Sequence, residues 1–161
     1  MIRILSPATD REWRDAETLM SALKAWDLEQ SRALGLDADD VARFFYPYDN
    51  DWSSSILLLA MDGPSPVGCA AIFRLDDAAC ELHSVYVRPA SRGAGIGGQL
   101  VRQLVERARE AGYRVMRLET ATFMGEAQKL YAALGFRARE PYRSIPPQFA
   151  PFTIPMEIDL G

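Results

Sequence analysis

The sequence predicts an α/β (α+β) domain: one mixed central sheet that begins as an antiparallel N-terminal meander and carries helices on both faces. Three observations carry this. Residues 55–87 read as three apolar strand-like runs joined by short turns. Residues 96–111 place apolar side chains at helical spacing. "YRVMRLET" after them reads as a further strand, so the helix joining two strands is the crossover of a parallel pair. A chain of 161 residues, 48% hydrophobic and 25% charged, suits one well-buried core, and residues 1–161 are expected to form a single domain.

Taken in order, "IRIL" (2–5) is a short strand, and Asp10 after "PAT" is expected to cap a helix. Trp13, Ala16, Leu19, Met20, Leu23 and Trp26 give that helix its apolar stripe, and Gly35 stops it near Leu34. "DADDVARFFYP" predicts a second short helix ended by Pro47, and "YDNDWSSS" a loop. The aromatic set Phe44, Phe45, Tyr46, Tyr48 and Trp52 serves either as core and lid packing or as the lining of a ligand pocket. The meander is "SILLLAM" (55–61), "VGCAAIFRL" (67–75) and "ACELHSVYV" (79–87), with turns at "DGPSP" and Asp76-Asp77. Leu100, Val101, Leu104, Val105 and Ala108 mark the crossover helix, which ends near Gly112. "EAQKLYAALGF" is a further helix closed by Gly135, "PYRSIPPQFAPF" a long surface loop and "TIPMEIDL" a last strand.

Charge and composition exclude several classes. A net charge of -4 and a pI near 5.1 oppose duplex nucleic-acid binding, which needs a Lys/Arg excess against the phosphate backbone. The N-terminus has no apolar signal core, and no run approaches the ~18 apolar residues of a membrane span, so a cytoplasmic protein without membrane partners is expected. Cys69 and Cys80 lack zinc or redox spacing and read as reduced, packed thiols. His83 is the only histidine, which rules out a histidine-rich metal site; no metal is expected.

Residues 93–98, "GAGIGG", put four glycines into six positions between a strand and a helix. A backbone without Cβ atoms can approach a ligand closely, and a helix start presents unpaired N–H groups that favour an anion such as a phosphate. The run satisfies G-x-G-x-x-G literally, with Glu119 ending the next strand. Against a dinucleotide fold stand the intervening "RPASR", the antiparallel strands before it and the 42 residues after Glu119, too few for a second half. A Walker loop is excluded because no Lys-Ser/Thr pair follows the glycines.

Parsed from Arg92 the same loop is R-x-x-G-x-G, through Arg92, Gly95 and Gly97. Here the chain closely resembles the GNAT superfamily of acyl-CoA-dependent N-acetyltransferases. The strand ends in V-x-P, the helix begins I-G-x-x-L, and about thirty residues on "EAQKLYAALGF" resembles the family's A-x-x-L-Y-x-x-x-G-F helix. The resemblance covers residues 55–140 and implies a GNAT-like domain that uses acetyl-CoA as co-substrate to acetylate a primary amine of a small molecule or peptide. It implies that backbone N–H groups of Gly93, Ala94, Gly95, Ile96, Gly97 and Gly98 cradle the coenzyme's pyrophosphate through fixed dipoles, with Arg92 either adding a charge or standing solvated. It implies too that the strand matching residues 83–87 splays from its parallel neighbour, so that backbone groups of Val85 and Val87 bind the pantetheine arm. A backbone N–H near Val85 or Tyr86 would polarise the thioester carbonyl.

Amine acetylation needs a neutral amine, a polarised carbonyl and a proton for the leaving thiolate. Period-two alternation puts Glu81, His83 and Val85 on one strand face, and Leu82, Ser84 and Tyr86 on the other. Glu81, eleven residues before Arg92, matches the place where some members carry a glutamate base, and His83 is its rival because an imidazole titrates near working pH. Tyr131 matches the family tyrosine that protonates the thiolate. Met124 stands where the family often has an asparagine contacting pantetheine, so either Thr122 or backbone takes over that contact or coenzyme affinity is reduced. Asp37, Asp39, Asp40, Asp49 and Asp51 read either as a solvated acidic face or as an attraction for cationic amines. Tyr142 and Arg143 open the loop that borders the acceptor tunnel in many relatives. A non-catalytic acyl-CoA-binding module and a dinucleotide oxidoreductase are the alternatives, and homodimerisation is left open.

Overall fold

Strands β1 (Ile2–Leu5), β2 (Ser55–Asp62), β3 (Ser65–Arg74), β4 (Ala79–Val87), β5 (Val115–Ala121), β6 (Arg137–Ala138) and β7 (Thr153–Asp159) form one sheet in the order β1-β2-β3-β4-β5-β7-β6. The structure is a computed structural model that describes residues 1–47, 52 and 54–161. β2, β3 and β4 are the antiparallel meander, while β4 and β5 are the parallel pair joined by helix α3 (Ile96–Glu110). A helical crossover is what a parallel pair requires, since a tight turn cannot return the chain to the same end of the sheet.

Helices α1 (Asp10–Ala33) and α2 (Ala38–Phe45) lie in the β1–β2 connection, and α4 (Gly125–Ala133) follows β5. The expected cap of α1 moves by one residue: Thr9, not Asp10, is the N-cap, because Glu12 stands three residues on and the two close a reciprocal capping box. Two features sit in and beside the stretch read as loop. β6 pairs with β7 just before it, and a short 3-10 turn, Ala150–Phe152, lies at its end. Both are too short to show periodicity in a sequence.

The sheet divides the core. Leu100, Val101, Leu104 and Ala108 of α3 pack on one face against Leu58, Ala70, Ile72 and Leu82, joined by Tyr131 and Phe136. Ala16, Leu19 and Met20 of α1 pack on the other against Leu57, Leu59, Ala71 and Phe73. Helices on both faces explain why the strand runs are apolar at consecutive positions rather than alternating.

Ladder pairing between β4 and β5 covers only Ala79, Cys80 and Glu81 against Val115, Met116 and Arg117. Beyond Glu81 the two strands part, and β5 continues paired to β7 through Ala121. A parallel pair that opens partway leaves an edge of β4 inside the molecule.

A candidate active site at the β4–β5 opening

β4 carries a bulge at the opening. Cys69 faces Tyr86 and Ala71 faces His83, so Ala70 alone opposes Ser84 and Val85. Ser84 adopts φ 57, in the left-handed region, and its hydroxyl lies 2.9 Å from His83 Nδ1. The extra residue reverses the side-chain parity. Val85 and Val87 join Leu82 on the α3 side, and Tyr86 packs with the α1-side core. The period-two expectation that Val85 shares a face with Glu81 and His83 is therefore corrected, since period two holds only in an unbroken ladder. Gly68 opposite accommodates the bulge: a Cβ there would lie 3.0 Å from the Tyr86 carbonyl oxygen.

The bulge also sorts backbone groups. Arg88 N–H donates to Val67 O at 2.8 Å on the β3 side, so alternation turns Val85 and Val87 toward the opening and Tyr86 toward β3. Arg92 Nε donates to Val87 O at 2.8 Å, fastening the glycine loop to the end of β4. In that loop Gly93 and Gly95 have φ 91 and 77, which a side chain would resist. Gly95 is the N-cap of α3 and supplies no side-chain acceptor, so the first-turn N–H groups are left for an outside anion. The strand feeding the loop is antiparallel to β3, and a 3-10 turn (Pro89–Ser91) intervenes, which separates this loop from a dinucleotide fingerprint.

At the opening lies a cavity of about 130 Å³ that draws on both faces of the sheet and whose lining includes Asp27, Glu81, His83, Glu119, Tyr131 and Arg143. Glu81, the last residue of β4 paired to β5, is 7% exposed and accepts a 2.6 Å hydrogen bond from the Tyr142 hydroxyl. Burial and the Glu81 carboxylate raise the Tyr142 pKa, so the phenol keeps the proton it donates. His83 Nε2 lies 3.0 Å from the Phe45 carbonyl, which requires a proton on Nε2 and leaves Nδ1 to accept from Ser84 Oγ. Burial lowers the His83 pKa, partly offset by the bond to Phe45 O, and keeps the ring neutral. Tyr131 of α4 packs edge-on to Phe136 with centroids 5.8 Å apart, and burial raises its pKa.

Sequence reading did not single out Asp27 or pair Glu119 with Arg143. Asp27, 8% exposed on α1, accepts from Tyr46 Oη at 2.5 Å and Ser31 Oγ at 3.4 Å. Its signal was available: Leu23, Asp27 and Ser31 continue the apolar stripe at four-residue spacing, where a carboxylate is out of place. Arg143 holds Glu119 bidentately, Nε to Oε2 at 2.9 Å and Nη2 to Oε1 at 2.5 Å, and its guanidinium stacks 3.7 Å from the Phe44 ring centroid. Of the aromatic set, Phe44, Phe45 and Tyr46 line the cavity, whereas Trp52 packs on Phe73. Asp37 caps α2, Asp40 pairs with Arg43, and Asp39 is exposed. Tyr48, Asp49 and Asp51 lie outside the described residues. Met124, at the start of α4, receives the Thr120 hydroxyl on its sulfur at 3.7 Å. Cys69 and Cys80 are buried, and burial pushes both thiols up to about 12, so neither supplies a nucleophile near neutral pH.

The buried imidazole makes stability pH-dependent. The unfolded chain takes up a proton near the ordinary value of 6.5, while the folded chain, facing Asp27, Glu119 and Arg143 around the ring, resists until lower pH. Stability linked to His83 is therefore complete above that value and drains as pH falls below it. Asp27, whose pKa burial raises, works in the opposite sense in acid, so a paired comparison is needed. Melts from about pH 8 to about pH 5 are expected to show Tm falling more steeply for the native chain than for His83→Gln, which keeps a donor and an acceptor but does not titrate; parallel curves would contradict this.

A mixed sheet whose parallel pair opens beside a glycine-started helix, with a cavity at the opening, defines the fold. The same fold is seen in an N-acetyltransferase of Thermoplasma acidophilum crystallised with coenzyme A (TM-score 0.71, 17% identity, 99% of each chain). It recurs in a GNAT family acetyltransferase of Elizabethkingia anophelis with acetyl-CoA bound (TM-score 0.64, 17% identity, 98% of this chain and 97% of that one). The model of the acetyltransferase (GNAT) family matches residues 17–136, and the chain belongs to that family. It is also 36% identical over 89 residues to an uncharacterized N-acetyltransferase of Schizosaccharomyces pombe, a match covering 54% of this chain and 55% of the relative. The chain thus spans about half the length of the curated relatives it matches. Among the described residues no helix is long and apolar enough to cross a membrane.

Proposed function

We propose that this protein is an acetyl-CoA-dependent N-acetyltransferase acting on a primary amine by direct attack on the thioester. The observation that carries the reading is the parting of β4 from β5 after Glu81, beside a glycine-capped helix start and a cavity lined by Glu81 and Tyr131. N–H groups of residues 93–98 hold the diphosphate through the helix-start dipole, so an acidic protein needs no net positive charge to bind it. Backbone groups of Val85 and Val87 pair with the pantetheine amides as an added strand. Gly97 and Gly98 let α3 sit close to Leu130 of α4.

Glu81 takes the proton from the incoming ammonium, directly or through a water. The amine nitrogen forms a bond to the thioester carbon as the carbon–sulfur bond breaks, and Tyr131 gives its phenolic proton to the departing thiolate. The Glu81 proton passes to solvent, and the second proton, which the nitrogen sheds on becoming an amide, restores Tyr131 through solvent, so that one proton is released per acetyl group transferred. The backbone N–H of Val85 polarises the carbonyl. We assign His83 to positioning rather than proton transfer, because both ring nitrogens are engaged in tying α2 to the bulge.

Titration with CoA is expected to raise Tm, and an amine panel with acetyl-CoA to give products 42 mass units heavier (about 42 Da, one acetyl replacing one hydrogen). A rise with NAD(H) or NADP(H) in place of CoA would overturn the reading, and CoA binding without product from any amine would make the protein a carrier-binding module.

A further inference from the structure

Resting on the transferase reading above, we propose that the acceptor is a compact primary amine without a carboxylate, and that Asp27 is a specificity-determining residue for that choice. The cavity brings together carboxylates from three elements: Asp27 of α1, Glu81 of β4 and Glu119 of β5. Among the described lining residues the permanent cation is Arg143. Its Nε and Nη2 are committed to Glu119, its Nη1 donates to Phe44 O at 3.2 Å, and one face is covered by the Phe44 ring. An acceptor carboxylate that reached the two N–H groups left on that guanidinium would stand beside the Glu119 carboxylate already paired there, a like charge at close range on a cation whose charge is already answered.

Arg143 therefore cancels Glu119, and His83 is neutral, so Asp27 and Glu81 carry the balance. The donors on Asp27, Tyr46 Oη and Ser31 Oγ, are themselves neutral and leave its charge in place. Glu81 answers the reacting ammonium. Asp27 adds attraction for a cation on arrival and repulsion for any second group that is anionic, which is how a site rejects a near-isostere. The remaining wall is largely apolar, with Leu23, Val41, Phe149 and Phe152. A dry cavity of about 150 Å³ takes a benzene ring, so about 130 Å³ suits a short branched alkyl group and a body of one ring at most.

The test uses matched pairs differing only by the carboxylate: 2-phenylethylamine against phenylalanine, and isobutylamine against valine. With the native chain and acetyl-CoA, the amine of each pair is expected to exceed its amino acid in kcat/KM by about 100-fold or more. Asp27→Asn, which keeps an acceptor oxygen for Tyr46 and turns an amide N–H to the Ser31 hydroxyl, is expected to narrow that ratio to below about tenfold while CoA still raises Tm. Should this variant lack a cooperative melt, Asp27→Ser carries the same comparison. Amino acids acetylated as well as their amines by the native chain, or a ratio that either folded variant leaves unchanged, would overturn the proposal while leaving the transferase reading standing. CoA binding with no product from either pair or from any amine of the wider panel would overturn both.

Discussion

Replacing Tyr131 by phenylalanine is expected to lower kcat about 100-fold while the KM for acetyl-CoA stays within about threefold. The side chain is 7% exposed, packs on Phe136 and lines the cavity, so a phenyl ring preserves its volume and its edge-to-face contact. What is lost is one hydroxyl. Burial raises the pKa of that phenol, which keeps it protonated at working pH and able to supply a leaving thiolate. A group acting only in the transition state lowers kcat and kcat/KM together, whereas a binding group raises KM. Steady-state kinetics with unchanged CoA-induced stabilisation would show the first pattern, and a kcat within threefold of native would remove Tyr131 from the mechanism.

Glu81→Gln is expected to lower kcat/KM for the amine by about 100- to 1,000-fold near neutral pH, within the range of a lost general base. Glutamine retains an acceptor for the Tyr142 hydroxyl, which holds the native side chain at 2.6 Å, so the local packing persists. The diagnostic readout is the pH profile. If Glu81 removes the proton from an ammonium, the deficit shrinks as pH rises toward the amine's own pKa and free amine becomes available without help. A deficit constant across pH would mark Glu81 as structural. The profile also separates Glu81 from His83, since His83→Gln leaves the proton acceptor in place and is expected to move KM for the amine more than the shape of the profile.

Much of the fold was legible because its signals are local. The meander, the crossover helix and the glycine-started α3 each announce themselves through a run, a period or a turn residue within about fifteen positions. Gly68 was a quieter signal: a glycine inside an apolar strand marks close backbone approach or a bulge, and here it faces the Tyr86 carbonyl across the bulge. The site was half legible. Glu81, His83 and Tyr131 were named, and all three line the cavity, yet the partners that give them distinct roles come from far along the chain. Tyr142 reaches Glu81 across 61 positions and His83 meets the Phe45 carbonyl across 38.

By itself the sequence determined that a glycine-rich helix start follows an antiparallel meander, and that a tyrosine stands on a later helix, because glycine content and apolar spacing constrain the backbone residue by residue. Only the tertiary structure decided which face Val85 occupies, which carboxylate meets which donor, and that Asp27 looks into the cavity. Those depend on where β4 parts from β5 and on one added residue at Ser84. Strand divergence and register are properties of paired chains, and no single strand's pattern contains them.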